Sequence, residues 1–352
     1  MWNNLPVMSH ARTAPPRYAA LLGLALATVV SLAGCTTPST STAPVVSLAV
    51  ARAAVARHWD LNRQALRASS GAEARRLIRE VEGGDALRMD EAVIVREADA
   101  RSADHSSPPT IPDAANVRVF VPRQFNYPAS FISIRTQALT NAAGALTGKT
   151  DEVLEYFQQA ATGASWRNVA YSDIAPGMAD NLEIAVDADG FAAFADGPPG
   201  SSQLSSLYSE YFQAVLAGRP GQASKRVAPG ALTDQFARDL KTSLGKIPNL
   251  KRSVTFTAAS HQEGIKLKTR TGGRFILFSN LYDVLTTSAD GGCVTAGPGS
   301  TIPGAHASVT DHYLQDVAAL VSPGAEGTVA VVAEADSAVS VDSRPCSGGA
   351  TI

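Results

Sequence analysis

Hydrophobic positions near the start of the predicted folded region recur every three or four residues, and this spacing predicts helices. The first such run extends from Val45 to Arg67, where apolar residues are interleaved with arginines on an amphipathic pattern. Its recurring positions are Val50, Ala54, Arg57, Leu61 and Ala65. A second helix is predicted over Ala72–Val81, and Gly83-Gly84 ends it.

The pattern then changes to β-branched runs, which predict strands. Three runs follow in order: Ala92–Val95, Val117–Val121 and Phe131–Ile134. Residues 98–115 are polar and rich in proline, so a loop is expected there. Residues 151–173 fit a hairpin around Thr162-Gly163, because this turn signal lies between two aromatic runs. Residues 151–160 also fit a helix, and that alternative stays open at this point.

The same order of helices and strands is predicted again after Asp196–Gly200, which has the composition of a linker. Leu204–Leu216 and Leu232–Leu244 predict two helices, the second with Thr233 as its N-cap. The strands predicted after them are Ser253–Thr257, Ile265–Thr269, Arg274–Phe278, Asp311–Val321 and Thr328–Val341. The Gly272-Gly273 pair between alternating runs is typical of a hairpin.

These patterns together predict an α+β fold made of two tandem units, each with two helices packed on a curved antiparallel sheet. The first unit is placed at residues 45–197, where Leu182–Val186 and an Asp189-Gly190 turn complete it. The second unit is placed at residues 201–343, and residues 344–352 form a tail.

An uncharged apolar run from Tyr18 to Leu32 precedes the folded part and ends in Leu32-Ala33-Gly34-Cys35. The run is shorter than the roughly 20 residues that a spanning helix needs, and it has the length of a signal-peptide core. Small residues directly before a cysteine resemble the cleavage site of bacterial lipoprotein signal peptides. We therefore predict a signal peptide at residues 1–34, with Met1 or Met8 as its start, and a lipid on Cys35. The Ser/Thr/Pro-rich residues 35–44 are expected to act as a tether.

The overall composition narrows the class of partner. The 352 residues carry a formal net charge of −2, whereas nucleic-acid binding requires a concentrated basic face, so no nucleic acid is expected. The chain has three cysteines, and lipidation of Cys35 leaves two of them. Two remaining thiols in an exported chain predict one disulfide, between Cys293 and Cys346.

Some segments resemble exported lipoproteins of high-GC Gram-positive bacteria, which are built from two cone-shaped units similar to nuclear transport factor two or the cystatins. The segments that carry the resemblance are Val119–Pro122, Tyr127–Phe131, Trp166–Val169 and Ala319–Gly324. The resemblance implies the two-unit α+β plan over residues 45–343. Such lipoproteins have no assigned activity, so it implies no site residue.

The candidate chemical motifs are weak. Gly144–Thr150 resembles a phosphate loop but does not match the motif. The motif has four residues between its two glycines, so with Gly148 as the second glycine the first would have to stand at position 143, which is Ala143. His306 and His312, with Asp311 between them, are expected on one loop, where solvation is favoured over a metal site. Asp85 and Asp90-Glu91 are expected at solvated edges. No catalytic, cofactor-binding or metal-binding residue is predicted, and no cofactor.

A cone-shaped fold can nevertheless hold a pocket between its helices and its sheet. The side chains that could line one are Tyr156, Tyr171, Tyr208, Tyr211, Tyr282 and Asp283. Aromatic residues on helix and sheet faces belong more often to the core, and that interpretation is favoured here.

These features favour a lipid-anchored lipoprotein on the extracytoplasmic face of the cell membrane. Its expected role is that of a non-enzymatic binding module of the cell envelope, with an envelope protein, a lipid or a wall polymer as partner. The alternatives are an envelope enzyme, a small-ligand or lipid carrier that uses a cone-shaped pocket, and a chaperone with an exposed apolar groove.

Overall fold

A ten-stranded antiparallel sheet runs through the molecule and carries helices on its surface, so the fold is α+β, as predicted. The computed structural model describes residues 44–104, 114–140, 146–219, 221–245, 247–259, 264–295, 302, 304–324 and 327–346. Among the helices of these residues, none is both long and apolar enough to cross a membrane.

The helices lie before the strands in each half of the chain. The bounds of the helices are α1 Leu48–Leu66, α2 Gly71–Ile78, α3 Gly84–Asp90, α4 Arg96–Asp104, α5 Ser201–Leu216, α6 Ala223–Arg226 and α7 Ala231–Ser243. The bounds of the strands are β1 Ala114–Phe120, β2 Ala129–Thr140, β3 Leu146–Gln159, β4 Arg167–Ile174, β5 Leu250–Ala258, β6 Lys266–Lys268, β7 Arg274–Ser288, β8 Val294–Thr295, β9 Ala305–Val321 and β10 Val329–Pro345.

The order of strands across the sheet is β1-β2-β3-β4-β10-β9-β7-β5, with β6 paired to β7 and β8 paired to β9. Within the described residues, the ladder of the strands before residue 175 joins that of the later strands where β4 lies beside β10. That seam consists of two residue pairs, Ile174 with Ala333 and Asp173 with Glu334.

Both faces of the sheet are covered by apolar packing. On one face, α1 packs Val55 against Phe131 and Phe157, and α5 packs Phe212 among the aromatic rings of the later strands. The other face is covered by the segment from Ala179 to Ala192 together with residues around β6, such as Leu267. Polar side chains buried between these layers are shielded from water, so their contacts with one another determine their charge states.

The prediction of a strand at Ala92–Val95 is wrong. Residues 91–95 form one π-helical turn between α3 and α4, and the predicted loop at 98–115 contains most of α4 and the first two residues of β1. Ile94 and Val95 are buried against Leu77 and Ile78 of the helical layer. Tertiary burial thus overrides the β-propensity of this short run. The remaining loop residues, 105–113, lie outside the described part.

Predictions that depend on local turns are confirmed. Residues 151–173 form the hairpin of β3 and β4, with Gly163 at a φ of 77° in its turn. Gly190, at a φ of 85°, makes the predicted turn after Asp189. Leu182 ends a 3-10 helix that begins at Ala179, and Ile184 and Val186 form isolated bridges. One detail differs from the prediction: the N-cap of α7 is Gly230, whose N–H donates to Thr233 Oγ1 at 2.9 Å.

The predicted Cys293–Cys346 disulfide is present, with a Cα–Cα distance of 6.1 Å. Cys293 directly precedes β8 and Cys346 directly follows β10, and both of these strands pair with β9 at His306. The bond therefore ties the two neighbours of β9 to each other at one end of the sheet.

Candidate functional site

A buried polar network lies between α1 and the strands β2 to β4. The first helix contributes His58 and Asn62, which lie four residues apart on its inner face. Glu82, in the connection between α2 and α3, is held by a backbone bridge to Asn168. Glu155 on β3 lies directly opposite Ser133 on β2. Four elements distant in sequence thus converge on one point inside the fold.

The centre of the network is an imidazole between two carboxylates. His58 Nε2 lies 3.2 Å from Glu82 Oε1, and His58 Nδ1 lies 3.4 Å from Glu155 Oε1. The same Glu155 accepts hydrogen bonds from Arg135 Nε and from Ser133 Oγ, both at 2.8 Å. The Arg135 guanidinium also stacks 4.1 Å above the Trp59 ring centroid, which packs the charge against an apolar surface.

An acidic branch extends the network toward α3. Asn62 Nδ2 donates to Glu82 and to Asp90, each at 3.0 Å, and Tyr171 OH donates to the second oxygen of Asp90 at 3.0 Å. The expectation that Asp90 lies at a solvated edge is wrong, because its side chain is buried in this branch.

The pKa shifts follow from this arrangement. Burial alone would lower the pKa of His58, but the carboxylates of Glu155 and Glu82 outweigh burial and raise it to about 9. Burial alone would raise the pKa of Glu155, but the charge of Arg135 and the contact with His58 lower it to about 2. The pKa of Asp90 is raised well above its usual range, because burial and the charge of Glu82 outweigh the opposing effects of Tyr171 and His58.

A second buried cluster joins α3 to the later strands. Ser279 Oγ lies 2.6 Å from Asp85 Oδ2 and 2.8 Å from Asp316 Oδ1. One hydroxyl can donate only one proton, so it cannot satisfy both carboxylates in their charged forms. Burial and the charge of Asp85 raise the pKa of Asp316 well above its usual range. Asp85 was also expected at a solvated edge, and that expectation is wrong.

A third acidic group lies on β10, beneath α5. Glu334 accepts hydrogen bonds from Tyr208 OH at 3.1 Å and from Gln315 Nε2 at 2.7 Å. Burial, together with the charge of Asp336, raises the pKa of Glu334 to about 8. Tyr282 OH donates to Asp336.

Two clefts on the surface of the described residues lie away from these clusters. One, of about 390 Å³, is lined by residues that include Tyr156, Gln158 and Phe194; another, of about 400 Å³, is lined by residues that include Arg123, Val186 and Phe194. Neither cleft reaches His58, Glu155, Asp316 or Glu334. These two clefts are therefore separate from the groups whose pKa is strongly shifted, and the buried groups act on one another.

The other candidate residues fall into several environments. Lys149 and Thr150 lie on β3 and not on a phosphate loop, and Gly144 lies outside the described residues, as do Cys35, His105 and His261. His306 and His312 lie on β9 and not on a loop. His312 bridges Asp283 at 2.7 Å and Asp342 at 3.1 Å. Within the described residues, no group of three or more His, Cys, Asp or Glu side chains could hold a metal ion.

The family match covers nearly all of this architecture. A family model described as a domain of unknown function, DUF8094, matches residues 42–341. The chain belongs to this family. The matched range of the DUF8094 chain includes all the elements from α1 to most of β10, and with them the three acidic clusters. No curated protein and no solved structure matches the chain.

The network of the DUF8094 chain was not predicted because the hydrophobic pattern indicated a different stripe of α1 as the buried one. Val50 and Arg57, counted in the predicted stripe, are exposed. The buried stripe shares only Ala65 with the predicted one and contains Ala51, Val55, His58, Trp59, Asn62 and Ala65. Two polar residues four positions apart within an otherwise apolar stripe are the signal that could have revealed a buried polar site.

Proposed function

We propose that this chain is an extracytoplasmic lipoprotein anchored by a lipid on Cys35. The distribution of the cysteines carries the proposal. The Cys293–Cys346 disulfide accounts for both cysteines of the folded part, which leaves Cys35 as the third and remaining one. Cys35 follows the small residues Ala33-Gly34 at the end of an apolar run, and a disulfide fits an exported protein.

The folded part is proposed to consist of two tandem α+β units. The strand order supports this division, since β1-β2-β3-β4 and β5-β7-β9-β10 are each a series of antiparallel strands in chain order, preceded by helices. The two-pair seam between β4 and β10 would then be where the last strands of the two units meet.

The proposed role is that of a non-enzymatic binding module of the cell envelope. The support is that the titratable groups with strongly shifted pKa are shielded from solvent. The His58 and Glu155 side chains are 4% and 1% exposed, and each has its partners inside the fold. A catalytic acid or base must instead reach a substrate. The partner would be an envelope protein, a lipid or a wall polymer.

The anchor is tested by metabolic labelling with radioactive palmitate in a bacterial host that processes lipoproteins. We expect label in the wild-type chain and none in Cys35→Ala, with Cys293→Ala as the control that keeps the label. Equal labelling of wild type and Cys35→Ala would rule out the anchor.

The binding role is tested by chemical cross-linking in intact membranes followed by mass spectrometry of the purified chain. We expect a partner that is enriched with the wild type over Cys35→Ala. Hydrolysis or isomerisation of an envelope component by the purified protein, lost in His58→Gln, would assign an enzyme instead.

A further inference from the structure

The described chain begins at one identifiable corner of the fold. Val45 N–H donates to Gln124 O at 2.8 Å, and Val46 is buried against the cluster that contains Phe131. The N-cap of α1 follows at Ser47, whose hydroxyl accepts from Val50 N–H at 3.2 Å. The position where the proposed tether joins the fold is therefore fixed beside Gln124.

The same corner carries the most exposed large apolar side chains of the described residues. The exposed fractions are 55% for Phe125, 50% for Val186, 45% for Val50 and 41% for Phe194. The other exposed large apolar residues, Leu285, Val117 and Ile247, have exposed fractions of 36–38%. Large exposed apolar side chains gathered at one corner of a fold are typical of a contact site on a protein.

Backbone contacts hold these residues around the tether junction. Phe125 directly follows Gln124, and Val50 lies in the first turn of α1. Val186 and Phe194 lie on the turn segment 184–195, which is joined to this corner by the hydrogen bond from Ala192 N–H to Val121 O at 2.8 Å. Phe194 lines both of the clefts described above, of about 390 and 400 Å³.

The length of chain before the fold brings this corner to the bilayer. This step rests on the proposed lipid on Cys35. Pro44 lies nine residue-to-residue steps along the chain from Cys35, and even fully extended these steps span only about 30 Å. The tether junction is thus the part of the folded region that the anchor holds nearest to the lipid.

Most charged side chains at this corner are ion-paired, and Arg52 on α1 is an exposed exception among the described residues. Arg123 is paired with Asp187 at 2.7 Å and with Asp189, and Lys268 lies 3.9 Å from Asp196. A surface that recognised anionic headgroups would carry unpaired basic groups. The chemistry of this face therefore favours apolar contact with the bilayer over electrostatic attraction.

We propose that the face formed by Val50, Phe125, Val186 and Phe194 inserts into the interfacial layer of the membrane to which the chain is anchored. Such a contact would fix the orientation of the folded part on the bilayer. Amphipathic protein surfaces bury apolar side chains about 5–10 Å into the headgroup and acyl boundary in this way.

The proposal is tested with the lipidated full-length chain, extracted from membranes and reconstituted into vesicles of phosphatidylglycerol and phosphatidylethanolamine. A tryptophan is introduced singly by Phe125→Trp or Phe194→Trp, and by Leu285→Trp as the matched exposed control. Its emission is compared between vesicles with and without brominated acyl chains, after subtraction of the wild-type signal.

We expect bromolipid to quench the tryptophans introduced at positions 125 and 194 about twofold or more, and to leave the one at position 285 unchanged. The quenching should persist in 1 M salt, since the contact is apolar. Vesicle flotation reports the anchor separately: a chain that floats without quenching overturns this inference and leaves the anchor intact. If bromolipid does not quench these tryptophans and copies of the chain cross-link to each other in a concentration-dependent way, the face binds a second copy. That result would also overturn the inference.

Discussion

His58 on α1 lies 3.2 Å from Glu82, and both side chains are almost fully buried at this contact. An imidazole enclosed by carboxylates is stable in its charged form, and its pKa is raised to about 9. Because the folded pKa lies above the unfolded value of about 6.5, the folded state holds a proton that the unfolded state releases between these values.

The first prediction concerns pH. The contribution of His58 is fully present below about pH 6.5 and is lost as the pH rises through about 9, so the free energy of unfolding should fall over this window. Replacing His58→Gln should flatten that fall, measured by urea unfolding at a series of pH values. His312→Gln is the control, because His312 is partly exposed and screened. An equal slope in wild type and His58→Gln would contradict the prediction.

The second prediction concerns the buried carboxylate of Glu155. Glu155→Gln removes the charge that faces Arg135 and His58, and it should lower the free energy of unfolding by about 3–5 kcal/mol. Glu152→Gln on the same strand is the matched control, since its nearest cation, Arg118, is 3.9 Å away and partly exposed. The control should change stability by less than about 1 kcal/mol. Similar losses in the two variants, measured by chemical denaturation, would argue against a special role of the network.

The third prediction concerns Asp316. Unlike Glu155→Gln, the replacement of this carboxylate by a neutral amide should become more favourable for stability as the pH rises. Burial and the charge of Asp85 raise its pKa in the folded chain. The unfolded chain therefore releases this proton above about pH 4 while the folded chain keeps it, so the free energy of unfolding falls as the pH rises. Asp316→Asn cannot ionise, and its stability relative to the wild type should therefore improve steadily with pH. Denaturation at pH 5 and pH 8 measures this. A difference between variant and wild type that stays constant or shrinks at pH 8 would refute it.

The fourth prediction concerns the disulfide. Opening the loop between Cys293 and Cys346, 53 residues apart, should lower stability by about 4 kcal/mol through the entropy of the unfolded chain. Cys346→Ser and reduction of the wild type should have the same effect on the urea midpoint. In a Cys35→Ser chain without reductant, thiol titration should find no free cysteine. Two reactive thiols in the folded chain would exclude the bond.

The sequence predicted those parts of the fold that depend on neighbouring residues. The β3–β4 hairpin was predictable because Thr162-Gly163 separates two runs with strand character, and the β6–β7 hairpin because of Gly272-Gly273. Strand lengths were less predictable: β7 continues to Ser288 and β9 begins at Ala305, where polar residues alternate along the strands.

The buried polar clusters were not predictable from local pattern. From sequence alone, a carboxylate is predicted to lie on the surface, because the partners that could stabilise it inside the fold are not known. These partners come from elements that are distant along the chain. Ser279 lies 194 residues from Asp85, and Glu155 lies 20 residues from Arg135 and on another strand. Ile94 and Val95 show the same limit for apolar residues, since their burial among helices is a property of tertiary packing.

The narrow seam between β4 and β10 also has a consequence for the order of folding. Ile174 and Ala333 are separated by 159 residues (333 − 174), and contacts of such high contact order form late. Each set of four strands can pair through shorter loops first. Asp316 on β9 meets Asp85 of α3 only when the two sets join, and its burial raises its pKa there. Uptake of a proton by Asp316 should therefore accompany the last step of folding, and that step should slow as the pH rises.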